Sequence, residues 1–546
     1  MSLFGLILAG LLAGVSPAIG AEHAQITVLS TTDLHGHLLP VDYHADKPDS
    51  LGLAKLGTLI RRVRRSAPDA LLIDCGDTIQ GTPLAYYHAR RNNTPPDPMM
   101  LAMNALGFDA LAIGNHEYNY GLDVLEKARS EAAFPWLSGN TYRVSTGEPA
   151  FEPWIVREVA GVRVGIAGLT TPGIPAWENP ENFAGLEFRD PVEAARRWVE
   201  HLRGTENVDV VIVAMHMGLE VDLRTGEMER GLVERENAAV AIAREVRGID
   251  LILMGHTHRE VPSLVIGDVL LAQANRWGDR LIRADIYLER EEANADWMVV
   301  ARSSRSIPVT AATKSDPEIV ALAEPYEKET QEWLSKQIGH SAAGLRATDA
   351  RLRDTAILDL VQRVQLDAGE AGVSFAASFS TSARVPEGAV TVRDIASLYI
   401  YDNTLTVIEL TGTQIKQALE HSARYFLPYE EGKTPRELID NRIPGYNFDV
   451  AQGVDYAIDL RRPPGSRIVD LKFQGEPIEP SRKFRVAINN HRFNGGGGYT
   501  MFQGAPVLWR SSADIRDLII AWVERHGEIP SEPDGNWRIV QASEGG

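Results

Sequence analysis

Between Gln25 and Met254 one pattern recurs. A short unbroken apolar run is followed by a turn rich in Asp, Asn, His and Gly, and then by a stretch with apolar residues every third or fourth position. The runs Gln25–Ser30, Ala70–Asp74, Ala110–Ile113, Val162–Leu169, Val208–Met215 and Leu251–Met254 lack polar alternation, which predicts strands buried on both faces. Leu53–Arg65, Pro191–Arg203 and Glu234–Val246 predict amphipathic helices between them. This βαβ rhythm, continued to about Ile307, predicts an α/β layered domain, a class that places ligand sites at the carboxyl ends of its strands.

The pattern then changes. Asp316 to about Ile338 is a charged helical stretch, either a connecting helix or a surface helix of the first domain. Beyond Gly344 a second α/β unit is expected, with helices at Asp354–Gln365 and Gly412–Tyr425. Its strands are expected at Val373–Ser378, Thr404–Leu410, Ile458–Leu460, Ile468–Phe473 and Lys483–Ile488. At the other end, Leu3–Val15 has the length of a signal-peptide core and is too short for a membrane span of ~20 residues. The expected division is therefore 1–21 signal peptide, 22–312 first domain, 313–343 linker helix and 344–546 second domain. Cleavage near Gly20–Ala21 implies a periplasmic or secreted protein with no membrane span after cleavage.

Composition narrows the function. Over 546 residues the hydrophobic content of 44% and charged content of 24% are those of a globular protein. A formal net charge of −19 argues against nucleic-acid polymers and basic membrane-surface binding. A protein this acidic that acts on anions needs local positive charge. The single cysteine, Cys75, excludes an intramolecular disulfide and reads as a small buried residue.

That positive charge has an evident source. Asp33-Leu34-His35, Gly76-Asp77, Gly114-Asn115-His116-Glu117, His216 and Gly255-His256-Thr257-His258 each follow an apolar run. Together they offer two Asp, one Asn and four His as hard and borderline ligands, the inventory of a two-metal site. Asp77 can bridge two ions ~3.5–4 Å apart because a carboxylate has two oxygens. His116, beside the amide ligand, is the candidate to face substrate, stabilising charge or protonating a leaving group. Asp74 reads as structural, and His23, His37 and His44 as surface residues.

These segments resemble the calcineurin-like metallophosphoesterases, and among them the 5'-nucleotidase family. The resemblance implies a four-layer αββα metallophosphoesterase domain followed by an α/β substrate-binding domain. It implies one metal on Asp33, His35, Asp77 and His258, a second on Asp77, Asn115, His216 and His256, and His116 as catalytic histidine. The two divalent ions would be Zn, Mn, Co or Fe. In the second domain it implies a base stacked between two rings, one from Tyr446 or Phe448 and the other at His491, and a phosphate-binding arginine at Arg384. An aromatic face tolerates every base.

Several positions depart from the 5'-nucleotidase pattern. Asn119 stands where an Asp is usual three residues after the catalytic histidine, and an amide orients an imidazole without stabilising its cation by charge. Gly495-Gly496-Gly497-Gly498 lacks the ribose-binding carboxylate, and Ser380-Thr381-Ser382-Ala383-Arg384 keeps only the arginine of the phosphate loop. Tyr399–Leu405, Tyr446–Val450 and Asn489–Arg492 are closer to the 2',3'-cyclic-nucleotide 2'-phosphodiesterase/3'-nucleotidase branch. The expected activity is thus hydrolysis of nucleotide phosphoesters by water attack on phosphorus. The alternatives are a strict 5'-nucleotidase or UDP-sugar hydrolase, and a thiosulfohydrolase-type relative.

Overall fold

A computed structural model describes residues 21–228, 233–292 and 295–540, so nearly all of the expected signal segment lies outside the described residues. Two six-stranded sheets form the first domain. The first runs, edge to edge, Met298–Pro308, Arg280–Arg290, Glu22–Thr31, Leu71–Asp74, Ala110–Ala112 and Trp136–Leu137. The second runs Glu260–Ile266, Val269–Ala274, Leu251–Met254, Val210–His216, Val162–Thr170 and Trp154–Val159. Strands at the middle of each sheet are parallel; antiparallel strands close both edges of the second sheet and one edge of the first, whose other edge strand, Trp136–Leu137, is parallel.

The unbroken apolar runs are explained by what they touch. Ile26, Val28, Leu71, Ile73, Val164, Ile166, Val210 and Ile212 meet between the sheets, each at most 4% exposed. The alternate residues face outward to helices: Leu53–Arg64 and Pro98–Leu106 cover the first sheet, Pro191–Gly204 and Ala239–Glu245 the second. The layers are α, β, β, α. The last helix starts at Ala239 rather than the expected Glu234, because Val240 and Ala241 take their first-turn N–H acceptors from the Glu220 carboxylate.

The charged stretch after Asp316 forms the helix Pro317–Leu334, capped by the Asp316 carboxylate on the N–H groups of Glu318 and Ile319. It packs on Leu53–Arg64, Pro83–Arg90 and Pro98–Leu106 of the first domain. Gln331 accepts from Arg393 of the second domain at 2.6 Å. The following residues build a five-stranded mixed sheet in the order Asp449–Gln452, Val373–Ala377, Lys483–Asn489, Thr404–Thr411 and Val507–Asp514. A smaller four-stranded sheet contains Asp455–Asp459, Ile468–Phe473 and Trp537–Val540.

The two domains meet at a buried charged contact. Arg516 and Asp402 pair, both almost fully buried, and the Arg516 guanidinium lies 4.1 Å over the Tyr86 ring. Asp402 also accepts from Tyr120 at 3.1 Å and from Gln80, both in the first domain. No helix among the described residues is long and apolar enough to cross a membrane.

Candidate two-metal active site

All the expected metal ligands leave the carboxyl ends of central strands and converge between the sheets' upper edges. Asp33 and His35 follow Glu22–Thr31, Asp77 follows Leu71–Asp74, Asn115 follows Ala110–Ala112, His216 ends its strand, and His256 and His258 follow Leu251–Met254. Asp33, His35 and His258 bring ligand atoms within 4.8 Å of one another, and so do Asp77, His216 and His256. The turns are tight. Asp33, His35, Asp77, His256 and His258 all have left-handed backbones, with φ between 46° and 72°. Such conformations cost ~1–3 kcal/mol each outside glycine and cluster at functional sites. Gly76, at φ 88°, passes so near the third strand that a Cβ would lie 2.5 Å from the Ala112 carbonyl oxygen.

The donor set fits divalent cations. His216 Nδ1 donates to the Cys75 carbonyl oxygen at 2.6 Å, which leaves Nε2 aimed at the cluster. There it meets Asp77 Oδ2 at 2.9 Å and Asn115 Oδ1 at 3.1 Å, both acceptors. Across the site the Nε2 atoms of His35 and His258 are 3.0 Å apart, with Asp33 Oδ1 3.2 Å from His258. Lone pairs converging this closely call for a cation between them. The titration pattern agrees. Burial opposes the charge on His216, but Asp77 and Asp33 raise its pKa to about 10, so a proton stands in for a cation. Burial pushes His35 down to about 3. Asp77 is held well below the carboxylate range despite its burial, chiefly by His216 and His116.

Of the candidate ligands, Asn115 and His256 open into a cavity of about 430 Å³, within the range of small-molecule sites. Asn115, His116, Asn119, Trp177, Glu178, Glu236 and His256 line it from the first domain, and Tyr401, Asp402, Asn403, Asn490, His491, Gly496 and Gly497 from the second. His116 Nδ1 is 2.6 Å from Asn119 Oδ1, leaving its Nε2 available to the cavity.

The model of the calcineurin-like phosphoesterases matches residues 26–260, and that of the 5'-nucleotidase C-terminal domain matches 337–504. A Salmonella typhimurium protein named 2',3'-cyclic-nucleotide 2'-phosphodiesterase/3'-nucleotidase is 30% identical over 96% of this chain and 90% of its own length. The chain belongs to the 5'-nucleotidase family of calcineurin-like phosphoesterases. The trifunctional nucleotide phosphoesterase YfkN of Bacillus subtilis is 29% identical over 97% of this chain, which spans only 40% of that protein. A crystal structure of a putative 5'-nucleotidase from Staphylococcus aureus superposes with a TM-score of 0.80 at 25% identity, covering 94% of this chain and 100% of that one.

Against the family pattern, the second domain corrects two expectations. Phe448 is 1% exposed and packed among Tyr425, Phe426 and Trp537, so it is a core residue and no base platform. Tyr446, two residues earlier, is 44% exposed and likewise lies outside the cavity lining. Arg384 is exposed on the short strand Arg384–Val385, paired with Leu345–Arg346, and is not among the residues lining the cavity. The buried arginine of the region is Arg492. It donates to Asp449 through Nε and Nη2 at 2.8 Å each, to the Tyr446 carbonyl at 2.6 Å and to the Gly496 carbonyl at 3.1 Å. It therefore ties the Tyr446 segment to the loop of His491. His491 is exposed at the cavity wall, with partial enclosure of its ring and the neighbouring Arg492 lowering its pKa. A Cβ on Gly496 would come within 2.2 Å of that ring, which explains a glycine there.

Other residues support the site, and of these Gln80 and Glu236 carried no sequence signal. His37, expected at the surface, stacks on Trp277 with centroids 5.1 Å apart and hydrogen-bonds the Leu34 and His35 carbonyls. His44 is also largely buried, and its pKa falls to about 4, mainly through burial. Gln80 Oε1 lies 3.3 Å from His35 Nδ1, and Glu236 Oε1 3.4 Å from His256 Nε2. Glu117 is fully buried and receives the backbone N–H groups of Asp77, Thr78, Ile79 and Gly114. Asp74 is structural as expected, accepting from Thr31, Gly76 and Thr78, and burial raises it to about 7. Cys75 is fully buried, and burial pushes its thiol pKa up, which makes it inert.

Proposed function

We propose that this protein hydrolyses nucleotide phosphoesters at a dinuclear metal site, with 2',3'-cyclic nucleotides and 3'-monophosphates as its preferred substrates. The observation that carries the reading is the cavity itself. Two Asp/His clusters lie together at the strand ends, the candidate ligands Asn115 and His256 open into the cavity beside them, and its opposite wall carries the imidazole of His491. Asp33, His35, Asp77 and His258 would hold one ion, and Asp77, Asn115, His216 and His256 the other. Two divalent ions there would supply Lewis-acid charge for phosphoryl oxygens and acidify water.

The chain's own residues complete the site. Two carboxylates among the ligands leave a pair of divalent ions with excess positive charge, which suits an anionic substrate in an otherwise acidic protein. His116 faces the cavity with Nε2, where it would stabilise charge developing on the phosphoryl group or protonate a leaving oxygen. His491, with Tyr446 on the segment that Arg492 ties to it, would hold the base. The branch preference rests on the Tyr446–Val450 and Asn489–Arg492 segments and on relatives carrying that activity in their names. The apolar run Leu3–Val15 supports export to the periplasm or cell exterior.

The test is phosphate and nucleoside release by the Mn- or Co-supplied protein from 5'-AMP, 3'-AMP, 2',3'-cyclic AMP and UDP-glucose, with His116→Ala as control. Preference for 2',3'-cyclic AMP and 3'-AMP is expected. Preference for 5'-AMP or UDP-glucose would overturn the branch assignment, and no turnover of any with two metals bound would overturn the nucleotide reading.

A further inference from the structure

The substitution of Asn119 for the usual aspartate leaves the catalytic histidine without an anionic partner. A carboxylate nevertheless lies one residue further out. Asn119 Nδ2 donates to Glu178 Oε2 at 2.5 Å, while Asn119 Oδ1 sits 2.6 Å from His116 Nδ1. Glu178 comes from a segment with no recognisable motif, directly after the short helix Ile174–Trp177. It is 8% exposed, and its other oxygen accepts from the Asn179 N–H at 2.7 Å and Asn182 Nδ2 at 3.0 Å.

We propose that Glu178 is a positioning residue for the reaction, acting through Asn119 to fix which nitrogen of His116 faces the substrate. The chain of donors and acceptors determines the outcome. An ionised carboxylate only accepts, so Glu178 forces the NH₂ end of the Asn119 amide toward itself. The amide oxygen must then point at His116. An oxygen facing Nδ1 at 2.6 Å requires a hydrogen on Nδ1, so Nε2 is the nitrogen that exchanges a proton with the cavity. If the amide were turned over, its oxygen would oppose the Glu178 carboxylate at 2.5 Å and its NH₂ would oppose a protonated Nδ1. Without Glu178 the two amide orientations are no longer distinguished, and His116 loses its single tautomer. The carboxylate that the family places at position 119 has in effect moved out by one hydrogen bond.

The second domain holds this arrangement in place. Asn490 Nδ2 donates to the Trp177 carbonyl at 3.1 Å, and Asn179 Nδ2 donates to Thr404 Oγ1 at 3.2 Å. Glu178 lies between these two contacts, so the segment that orients His116 is held by the domain proposed to bind the base. Asn182 closes the turn by donating to both the Glu178 carboxylate and the Asn119 carbonyl.

The inference rests on the proposed hydrolase activity, and the experiment separates the two. Zinc-loaded wild type, E178Q, N119D and the double variant N119D/E178Q are compared on 2',3'-cyclic AMP and on bis(p-nitrophenyl) phosphate, a diester without a base. In E178Q, kcat is expected to fall roughly 10–100-fold with KM within about threefold, the scale of a lost orienting partner. N119D alone sets two carboxylates against each other and should also be impaired. In the double variant the new carboxylate at position 119 accepts from His116 Nδ1, and the new amide at position 178 donates to that carboxylate. Its kcat should therefore return to within about threefold of wild type. Nitrogen NMR on labelled histidine should find His116 protonated on Nδ1 in the wild type and the double variant, and a mixture of tautomers in E178Q. Unchanged kcat and tautomer in E178Q would overturn the proposal. So would a loss in E178Q that N119D does not restore, since Glu178 would then only support its loop. Turnover of the synthetic diester but of no nucleotide would overturn the substrate reading, while the NMR comparison would still judge the relay.

Discussion

Glu117 offers the sharpest test of how the metal loops are built. Its carboxylate is fully buried, with Oε2 accepting from Gly114 N at 2.7 Å and Asp77 N at 2.9 Å. Oε1 accepts from Thr78 N at 2.5 Å and Ile79 N at 3.4 Å. Glu117→Gln keeps the shape but puts an NH₂ where one oxygen stood. Whichever way the amide turns, two backbone donors lose their acceptor and face another donor. An orphaned buried donor costs ~1–3 kcal/mol, so the substitution should cost about 2–6 kcal/mol, a large share of a total stability of ~5–15 kcal/mol. The loops that shift carry Asp77 and Asn115, so metal affinity should also fall, by about 10–100-fold as for other outer partners of ligands. Urea unfolding of the chelator-treated protein reads the first effect without interference from bound metal. Metal content after dialysis against graded chelator reads the second. An unfolding free energy within about 0.5 kcal/mol of wild type, together with unchanged metal retention, would refute the view that Glu117 holds these loops.

Further outcomes follow from other parts of the structure. Phe448→Ala should destabilise the protein by ~3–5 kcal/mol, as for a core aromatic, while Tyr446→Ala should leave stability nearly unchanged and raise KM for nucleotides but not for bis(p-nitrophenyl) phosphate. The measurements are chemical unfolding and steady-state kinetics. Asp359 is pushed up to about 8 by burial and by the neighbouring Asp354, so the folded protein holds that proton more tightly than the unfolded chain. Its contribution to stability is full below the unfolded pKa of ~3.9 and is lost as pH rises toward 8. Asp359→Asn should therefore flatten the fall in Tm across that window, and an equal slope in both proteins would count against it. Removing divalent metal with chelator should abolish turnover and leave the protein folded by circular dichroism, with activity returning on Mn or Co.

The sequence by itself determined the central strands of the first domain and the candidate ligands at their ends. A parallel strand buried on both faces must be written as an unbroken apolar run, and the residue types that bind metals are few and sit directly after those runs. Asp33, His35, Asp77, Asn115, His216, His256 and His258 were legible for that reason. Resemblance to the family then supplied the pairing of sheets that periodicity leaves open. What the sequence left undecided depends on contacts between distant segments. The identical-looking aromatics Tyr446 and Phe448 separate only when the second sheet assigns one to solvent and the other to the core. Arg384 carried the family's signal but lies off the cavity, whereas Arg492 does the buried tying of loops. Glu178 reaches Asn119 across 59 positions of chain and Gln80 reaches Asp402 across 322, and no local pattern marks either pair. A hydrogen bond of this kind needs only a donor and an acceptor of ordinary type. Tertiary packing alone decides which of the many polar loop residues meet.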